Sequence, residues 1–149
     1  MTTSRSETAT AIIAALGLQP HPEGGWYRQT WRAAAAPDQR PGATAIHFLL
    51  EEFQRSHWHK VDAAELWMWH AGSPVALAIA PDAGTPATRS VLGSDVLAGE
   101  SPQVLVPTGH WQAAEPLGGW ALVSCVVSPG FDFAGFELAP PGWEPGAGA

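Results

Sequence analysis

The stretch Ser56-His-Trp-His-Lys60 decides how the fold and the function of this chain are interpreted. Its two histidines, His57 and His59, lie two residues apart, so on a regular β-strand both imidazoles project from the same face. Glu65 follows His59 after a five-residue connection, which is short enough for a hairpin to bring its carboxylate opposite the histidines. The stretch therefore predicts a strand whose polar residues face the inside of an all-β protein.

Short strands separated by turns extend over most of the sequence. Runs of β-branched, aromatic and aliphatic residues are bounded by Gly, Pro, Asp and Ser, a pattern typical of β-sandwiches and barrels. Besides Ser56–Lys60, the predicted strands are Trp26–Arg32, Ala43–Leu50, Glu65–His70, Val75–Ala80, Thr88–Leu92, Gln103–Pro107, Trp111–Ala114, Trp120–Val127 and Phe133–Leu138. One amphipathic helix is expected at Glu7–Leu18, with Gly17 near its end. Ser6 or Thr8 would cap its start.

The composition fits one compact domain of 149 residues. Hydrophobic residues make up 46% and charged residues 14%, which excludes a disordered chain, and sixteen Gly with fourteen Pro are too many for a helical bundle. We expect a single domain over residues 1–149, with flexible ends at 1–6 and 146–149. The formal net charge of −7, without a cluster of Lys or Arg, argues against a nucleic-acid or membrane partner.

Cysteine use and the N-terminal sequence indicate the compartment. Cys125 is the single cysteine, and it lies within the apolar run Ala121–Val127, so we expect a buried thiol without a disulfide. Residues 1–10 are polar and lack the features of a secretory signal. No apolar stretch approaches the roughly 18 residues that span a bilayer. These features predict a soluble, cytoplasmic protein.

Two groups of residues resemble the sequence motifs of the cupin superfamily. The group that resembles the first motif consists of His57, His59, Glu65 and Gly72. The group that resembles the second consists of Pro107-Thr-Gly109 and Gln112. Longer segments are similar to the cupin 5 family, also called DUF985, namely Pro20–Tyr27, Ser56–His59, Pro102–Pro107, Trp111–Ala114 and Pro129–Pro140. The similarity covers Ile13 to Pro145 and implies a jelly-roll (cupin) β-barrel with a short N-terminal helix, a small-molecule pocket and a homodimer.

A metal site is one implication of this resemblance. His57, His59 and Glu65 form the set of two histidines and one carboxylate found in many mononuclear iron sites. Gln112 stands where many cupins carry their last histidine ligand, and its carboxamide is a poorer metal ligand than imidazole. The candidate metals are Fe, Mn, Ni and Zn, with Gln112 as a weak fourth ligand. His110 is the residue that would compensate for it.

The same residues also suit proton transfer without a metal. A histidine beside a carboxylate, such as His59 beside Glu65, gains basicity and serves as a general base near neutral pH. In this hypothesis either His59 or His57 is the base, and the Tyr27 hydroxyl is the general acid. The arrangement resembles that of sugar-nucleotide 3,5-epimerases, cupins that use a His base and a Tyr acid. It implies an isomerase or epimerase that acts on a sugar-like or carbonyl substrate.

Further polar and aromatic residues are expected to contact a ligand. Glu23 lies in a turn-rich segment that could reach over the pocket, and Glu137 lies in an apolar strand where its charge needs solvent or a partner. Trp67 and Trp69 share the strand face of Glu65 and would form a flat wall beside it. The full set of ligand-binding candidates is Glu23, Ser56, Glu65, Trp67, Trp69, Gln112 and Glu137.

Three functions are therefore compatible with the sequence. The first is an isomerase or epimerase that moves a proton beside a carbonyl. The second is a metal-dependent cupin, and the third is a module that binds or senses a metabolite without any chemistry. A barrel pocket serves all three, so the residues around it have to discriminate between them.

Overall fold

The computed structural model describes residues 6–146, and it begins with the predicted helix. Helix α1 spans Glu7–Leu16, because the Ser6 hydroxyl accepts a hydrogen bond from the Ala9 backbone at 3.3 Å and Gly17 ends the helix with φ 65°. The helix and its N-cap are confirmed, with the end at Leu16 rather than Leu18. The predicted flexible ends, 1–6 and 146–149, lie outside the described residues except for Ser6 and Gly146.

Runs of β-forming residues bounded by turn residues predicted the strands well. Within residues 6–146 the strands are β1 Gln19–Pro20, β2 Trp26–Arg32, β3 Thr44–Leu50, β4 Ser56–Val61, β5 Ala64–Gly72, β6 Val75–Ala80, β7 Thr88–Leu92, β8 Gln103–Val106, β9 Trp111–Pro116, β10 Ala121–Ser128 and β11 Phe136–Leu138. The largest shortening is at β11, since Phe133–Gly135 forms a 3₁₀ turn ahead of it. The two-residue β1 was not predicted.

The strands form two antiparallel sheets. One sheet has the order β1-β2-β3-β10-β5-β8, and the other has the order β11-β4-β9-β6-β7. Successive strands from β8 to β11 alternate between the sheets, as do β4, β5 and β6, so the chain repeatedly crosses from one layer to the other. The fold is thus mainly β with one short helix, as predicted. The ladders of the described residues remain two sheets and do not close into one hydrogen-bonded barrel.

The main core lies between the two sheets. Phe48 and Trp67 from the first sheet meet edge to face, with ring centroids 5.9 Å apart. They pack with Val123 of the same sheet and with Leu77 and Ala114 of the other. Burying each large apolar side chain contributes roughly 1.5–3 kcal/mol relative to leaving it exposed. This packing fixes the separation of the sheets, and the candidate site lies beside it.

An irregularity in β4 controls which way its histidines point. Ser56 pairs with Ala114 and His59 pairs with Gln112, so three steps along β4 match two along β9. A bulge of this kind reverses the side-chain alternation at that place. His57 therefore faces away from the interior while His59 faces into it, and the expectation that both imidazoles project from one face is corrected.

Two features relate to the expected location of the protein. Cys125 is a free thiol and is buried, as predicted from the apolar run around it. Among residues 6–146, none of the helices is both long and apolar enough to cross a bilayer. The cytoplasmic location stays a prediction.

Candidate functional site

A cavity of about 270 Å³ lies between the two sheets. Four of the residues predicted for the site line it, namely Glu23, Tyr27, His59 and Glu65. The other lining residues are His21, Gln29, Thr44, Ile46, Val61, Cys125, Val127, Phe131 and Phe133. The cavity thus brings three carboxyl or imidazole groups of the predicted set together within largely apolar walls, where charges interact strongly.

His59 and Glu23 form a buried pair at one side of the cavity. The Nε2 atom of His59 lies 3.1 Å from Oε2 of Glu23, and the two side chains are 2% and 8% exposed. The Nδ1 atom of His59 lies 2.8 Å from the His57 carbonyl oxygen, which can only accept, so Nδ1 carries a proton. The Ser56 hydroxyl donates to Oε1 of Glu23 at 2.9 Å. One proton therefore lies between Nε2 and Oε2.

Burial decides which partner holds that proton. Desolvation raises the pKa of Glu23 to about 8, and the hydrogen bond from Ser56 opposes this only in part. Desolvation also lowers the pKa of His59, although the charge of Glu65 acts in the opposite direction. At pH 7 the pair is therefore a neutral carboxylic acid that donates to a neutral imidazole. The pair therefore holds one transferable proton, and both of its side chains line the cavity.

Glu65 is the second buried carboxyl group, and it is held by a different set of partners. Gln112 Nε2 donates to Oε1 of Glu65 at 2.9 Å, and Gln112 Oε1 accepts from the Trp67 indole at 2.8 Å. The Cys125 thiol also forms a hydrogen bond with Glu65. Burial raises the pKa of Glu65 to about 7, and the electrostatic interaction with His59 opposes the effect in part. Glu65 therefore changes its ionisation near neutral pH.

The loop between β1 and β2 carries Glu23 into the cavity. The loop closes on itself through the His21 amide, which donates to Gly25 O at 2.9 Å, and through the Gly24 amide, which donates to His21 O at 3.0 Å. The His57 amide donates to Glu23 O at 2.8 Å, so the loop is also tied to β4. These bonds position the Glu23 carboxyl opposite the histidine that β4 turns inward.

His21 adds an imidazole that the sequence did not single out. Its Nδ1 accepts from the Glu23 amide at 3.1 Å, and its ring meets the Tyr27 ring edge to face at 4.5 Å. Burial, with a smaller effect of His59, lowers the pKa of His21 to about 4. His21 is therefore neutral at pH 7 and orients the loop and Tyr27. The turn-rich segment around it hid this role, because a turn predicts no side-chain direction.

Several predicted site residues lie behind the lining or away from it. Gln112 and Ser56 are buried behind Glu65 and Glu23, and Trp67 lies behind Gln112. Trp69 donates its indole N–H to the Ser73 carbonyl at 2.9 Å, outside the cavity. The expected flat wall of two tryptophans beside Glu65 is therefore not formed, because one indole lies behind the lining and the other outside it.

Two charged or basic candidates point to the surface. The Nε2 atom of His57 lies 2.9 Å from the Pro140 carbonyl, and its side chain lines a separate surface cleft. Glu137 is 61% exposed and forms an ion pair with Lys60 at 3.3 Å. The sequence required either solvent or a partner for the Glu137 charge, and the structure provides both.

The donor set expected for a metal is not assembled in this arrangement. His57 faces outward, both ring nitrogens of His59 have partners, and Gln112 uses both ends of its carboxamide inside the protein. Across residues 6–146, no three His, Cys, Asp or Glu side chains are placed so that they could hold a metal ion. These residues therefore do not fit the metal that the cupin motifs imply.

Comparison with known proteins bears on the fold and the family. Residues 10–139 match the Cupin_5 family, described as Cupin superfamily (DUF985). No match was found among curated proteins. A hypothetical protein from Leishmania major is 35% identical, with a TM-score of 0.80 over 88% of this chain and 86% of that one. A protein from Shewanella oneidensis, known from its X-ray crystal structure, is 37% identical, with a TM-score of 0.81 over 92% of this chain and 85% of the other.

More distant similarity extends to an enzyme. Oxalate decarboxylase from Bacillus subtilis is 16% identical, with a TM-score of 0.61 over 80% of this chain and 29% of the enzyme. That enzyme contains Mn(II) centres. At this level of identity the similarity shows a shared fold only. The family match, by contrast, covers most of the sequence, and the chain belongs to the Cupin_5 (DUF985) family of the cupin superfamily.

Proposed function

We propose that the cavity binds a small molecule and moves a proton beside its carbonyl group, as an isomerase or epimerase does. In this proposal the two sheets are the walls of a cupin jelly roll. The observation that carries it is the buried contact of 3.1 Å between Glu23 and His59 in the same cavity as Glu65. Two carboxyl groups in unlike surroundings supply an acid and a base to one substrate.

Glu65 is the base in this proposal. The hydrogen bond from Gln112 fixes its Oε1 atom, and the indole of Trp67 fixes Gln112 in turn. Above pH 7 its carboxylate takes a proton from the carbon next to the carbonyl, and the electrons of the broken C–H bond form a C=C bond. Glu65 later returns the proton to that carbon or to its neighbour.

The pair of Glu23 and His59 is the acid. As the enolate forms, Glu23 moves its proton from the contact with His59 Nε2 to the developing oxyanion, and the hydrogen bond from Ser56 stabilises the carboxylate that remains. Glu23 takes this proton back when the carbonyl forms again. His59 orients the Glu23 proton as its acceptor and is not the base that its sequence motif implies, since both its ring nitrogens have partners. Tyr27 lines the same cavity and provides a second hydroxyl donor to the oxyanion.

Exchange of the substrate's α-proton with solvent tests this proposal. A panel of small aldehydes and ketones is incubated with the protein in D₂O, and loss of the α-proton signal is followed by ¹H NMR. We expect exchange for at least one member, and a decrease of about 100-fold or more in Glu65→Gln, the size of a lost general base. Glu137→Gln is the matched control, because that carboxylate is exposed and lies outside the cavity. Equal rates in wild type and Glu65→Gln would contradict the role of Glu65.

The pH profile of this exchange is a second test. The rate should rise through pH 7 as Glu65 loses its proton and fall through pH 8 as Glu23 loses its own. The Glu23→Gln variant cannot lose a proton, so the upper limb of its profile should disappear. A profile that is flat between pH 6 and 9 would argue against both assignments.

A binding or sensing role is the second candidate. It is favoured by the closed hydrogen bonding of His59 and Gln112, whose polar atoms are satisfied by the protein itself. Polar groups that are held in this way can form a pre-formed binding site for a ligand and take no part in a reaction. Recovery of a bound compound unchanged, with no α-proton exchange in any carbonyl compound that binds, would favour this role over catalysis.

A further inference from the structure

We infer that the cavity takes an uncharged carbonyl compound with a mainly apolar body, and that it rejects molecules bearing a phosphate, a nucleotide or a carboxylate. This inference depends on the proposed function for the reacting carbonyl. It adds the class of molecule that carries this group.

The charges around the cavity exclude an anion. Glu23 and Glu65 line it, and none of the lining residues among 6–146 is Lys or Arg. The described cations lie elsewhere. Arg28 donates to the Leu16 carbonyl oxygen, and Arg40 forms an ion pair with Asp62. Lys60 forms an ion pair with Glu137, and Arg89 forms one with Glu115. Arg32 and Arg55 line surface clefts. An anion in the cavity would lose its hydration and meet carboxyl groups without a counter-charge, which is costly.

The apolar wall of the cavity, which continues from the side of Glu65, disfavours a sugar. Val61, Val127 and Phe131 pack together there, and Ile46 continues the apolar surface. Phe133 lines the cavity but is 53% exposed, so it lies where the cavity meets solvent. Each hydroxyl of a sugar would lose its water against this wall and gain no hydrogen bond. A hydrocarbon body is stabilised there instead.

The volume limits the size of the compound. At about 270 Å³ the cavity lies below the roughly 300–1,000 Å³ typical of pockets for drug-sized ligands. A small monocyclic compound fits, whereas a nucleotide-linked molecule does not. Together, charge, wall and volume define a compact, neutral and mostly apolar carbonyl compound.

Three ring compounds of similar size test the inference: 2-methylcyclohexanone, a methyl pentopyranoside and cyclohexanecarboxylate. Binding is measured by isothermal titration calorimetry at pH 7.5. We expect the ketone to bind at least about 10-fold more tightly than the sugar, which corresponds to about 1.4 kcal/mol of binding free energy. The carboxylate should not bind at 10 mM. Tighter binding of the sugar or the carboxylate, or no binding of the ketone at 10 mM, would overturn the inference.

A pair of valine variants on one strand localises the effect. Val127→Thr places a hydroxyl on the apolar wall, and Val126→Thr makes the same change on the opposite face of β10, away from the cavity. We expect Val127→Thr to weaken ketone binding several-fold and Val126→Thr to leave it unchanged. Near-UV circular dichroism checks that both variants are folded. Equal affinities in the two variants would count against the apolar wall.

The same samples separate this inference from the proposed function. If the ketone binds and its α-proton does not exchange in D₂O, the ligand class holds and the proton-transfer function fails. If a carbonyl compound that carries a carboxylate binds and exchanges its α-proton, the function holds and the ligand class is overturned.

Discussion

Gln112 links the core to the candidate site through both ends of its carboxamide. It is 1% exposed, accepts from the Trp67 indole and donates to Glu65. A carboxamide carries an oxygen acceptor and an NH₂ donor on the same carbon, so one side chain can bond both groups. Gln112 stands where many cupins carry a histidine, and in this protein its side chain holds Glu65 in place.

Replacing Gln112 with Leu should destabilise the protein strongly. The variant leaves the Trp67 N–H and one oxygen of Glu65 buried without a partner, which costs about 2–4 kcal/mol in the free energy of unfolding. Urea denaturation followed by tryptophan fluorescence measures this change. Gln103→Leu, on the exposed face of β8, is the control and should change stability by less than about 0.5 kcal/mol. Equal stability of the two variants would show that the bridge contributes nothing.

At the scale of elements, the β1–β2 loop and the bulge in β4 together build the acid pair. Gly24 has φ 109°, a conformation that L residues rarely adopt, and a Cβ atom there would overlap the Arg55 carbonyl oxygen. The loop can therefore approach β4 only because this position has no side chain. Glu23 precedes it, and its contact with His59 depends on that approach.

Replacing Gly24 with Ala should displace the loop. We expect a loss of about 3 kcal/mol in the free energy of unfolding, from the strained backbone and the overlap together. Gly42→Ala is the matched control, because its φ is not positive and a Cβ atom there meets nothing within 4 Å. Thermal unfolding of both variants measures the difference, and similar midpoints would contradict the close approach.

The sequence predicted most elements but not the partners inside the site. Runs of β-forming residues between turn signals predicted β2 to β10 and part of β11, and the two-residue period of a strand set the expected side-chain directions. The same rule misplaced His57, because a bulge leaves no mark in residue types. The sequence placed Glu65 near His59, and the two do line one cavity and interact electrostatically. The direct partner of His59 Nε2, however, is the loop residue Glu23, and no local pattern encodes a contact between residues 36 positions apart.

For the whole molecule, the buried acids and imidazoles make stability depend on pH. The folded protein keeps a proton on Glu23 up to about pH 8 and on Glu65 up to about pH 7, whereas an unfolded Glu loses it near 4.5. Each carboxyl group therefore lowers the free energy of unfolding as pH rises from about 4.5 to the pKa of that group in the folded protein. His21, with its pKa lowered to about 4, and His59 act in the opposite sense, but only below the ordinary histidine value of 6.5.

Above pH 6.5 only the carboxyl groups act, so the free energy of unfolding should fall on the order of 2 kcal/mol between pH 6.5 and 8.5. Urea denaturation at several pH values measures this slope. The Glu23→Gln variant should have a clearly smaller slope, while Glu137→Gln should retain that of the wild type. Stability that is constant or increasing over this range would show that the buried carboxyl groups ionise at ordinary pH.

The most direct measurement is the titration of individual carboxyl groups in the folded protein by ¹³C NMR. The Glu23→Gln and Glu65→Gln variants assign the two signals by their disappearance. We predict that the Glu23 carboxyl titrates near pH 8 and the Glu65 carboxyl near pH 7. Titration of both groups below pH 5 would mean that the cavity holds two ordinary carboxylates, and the acid and base assigned to them would be lost.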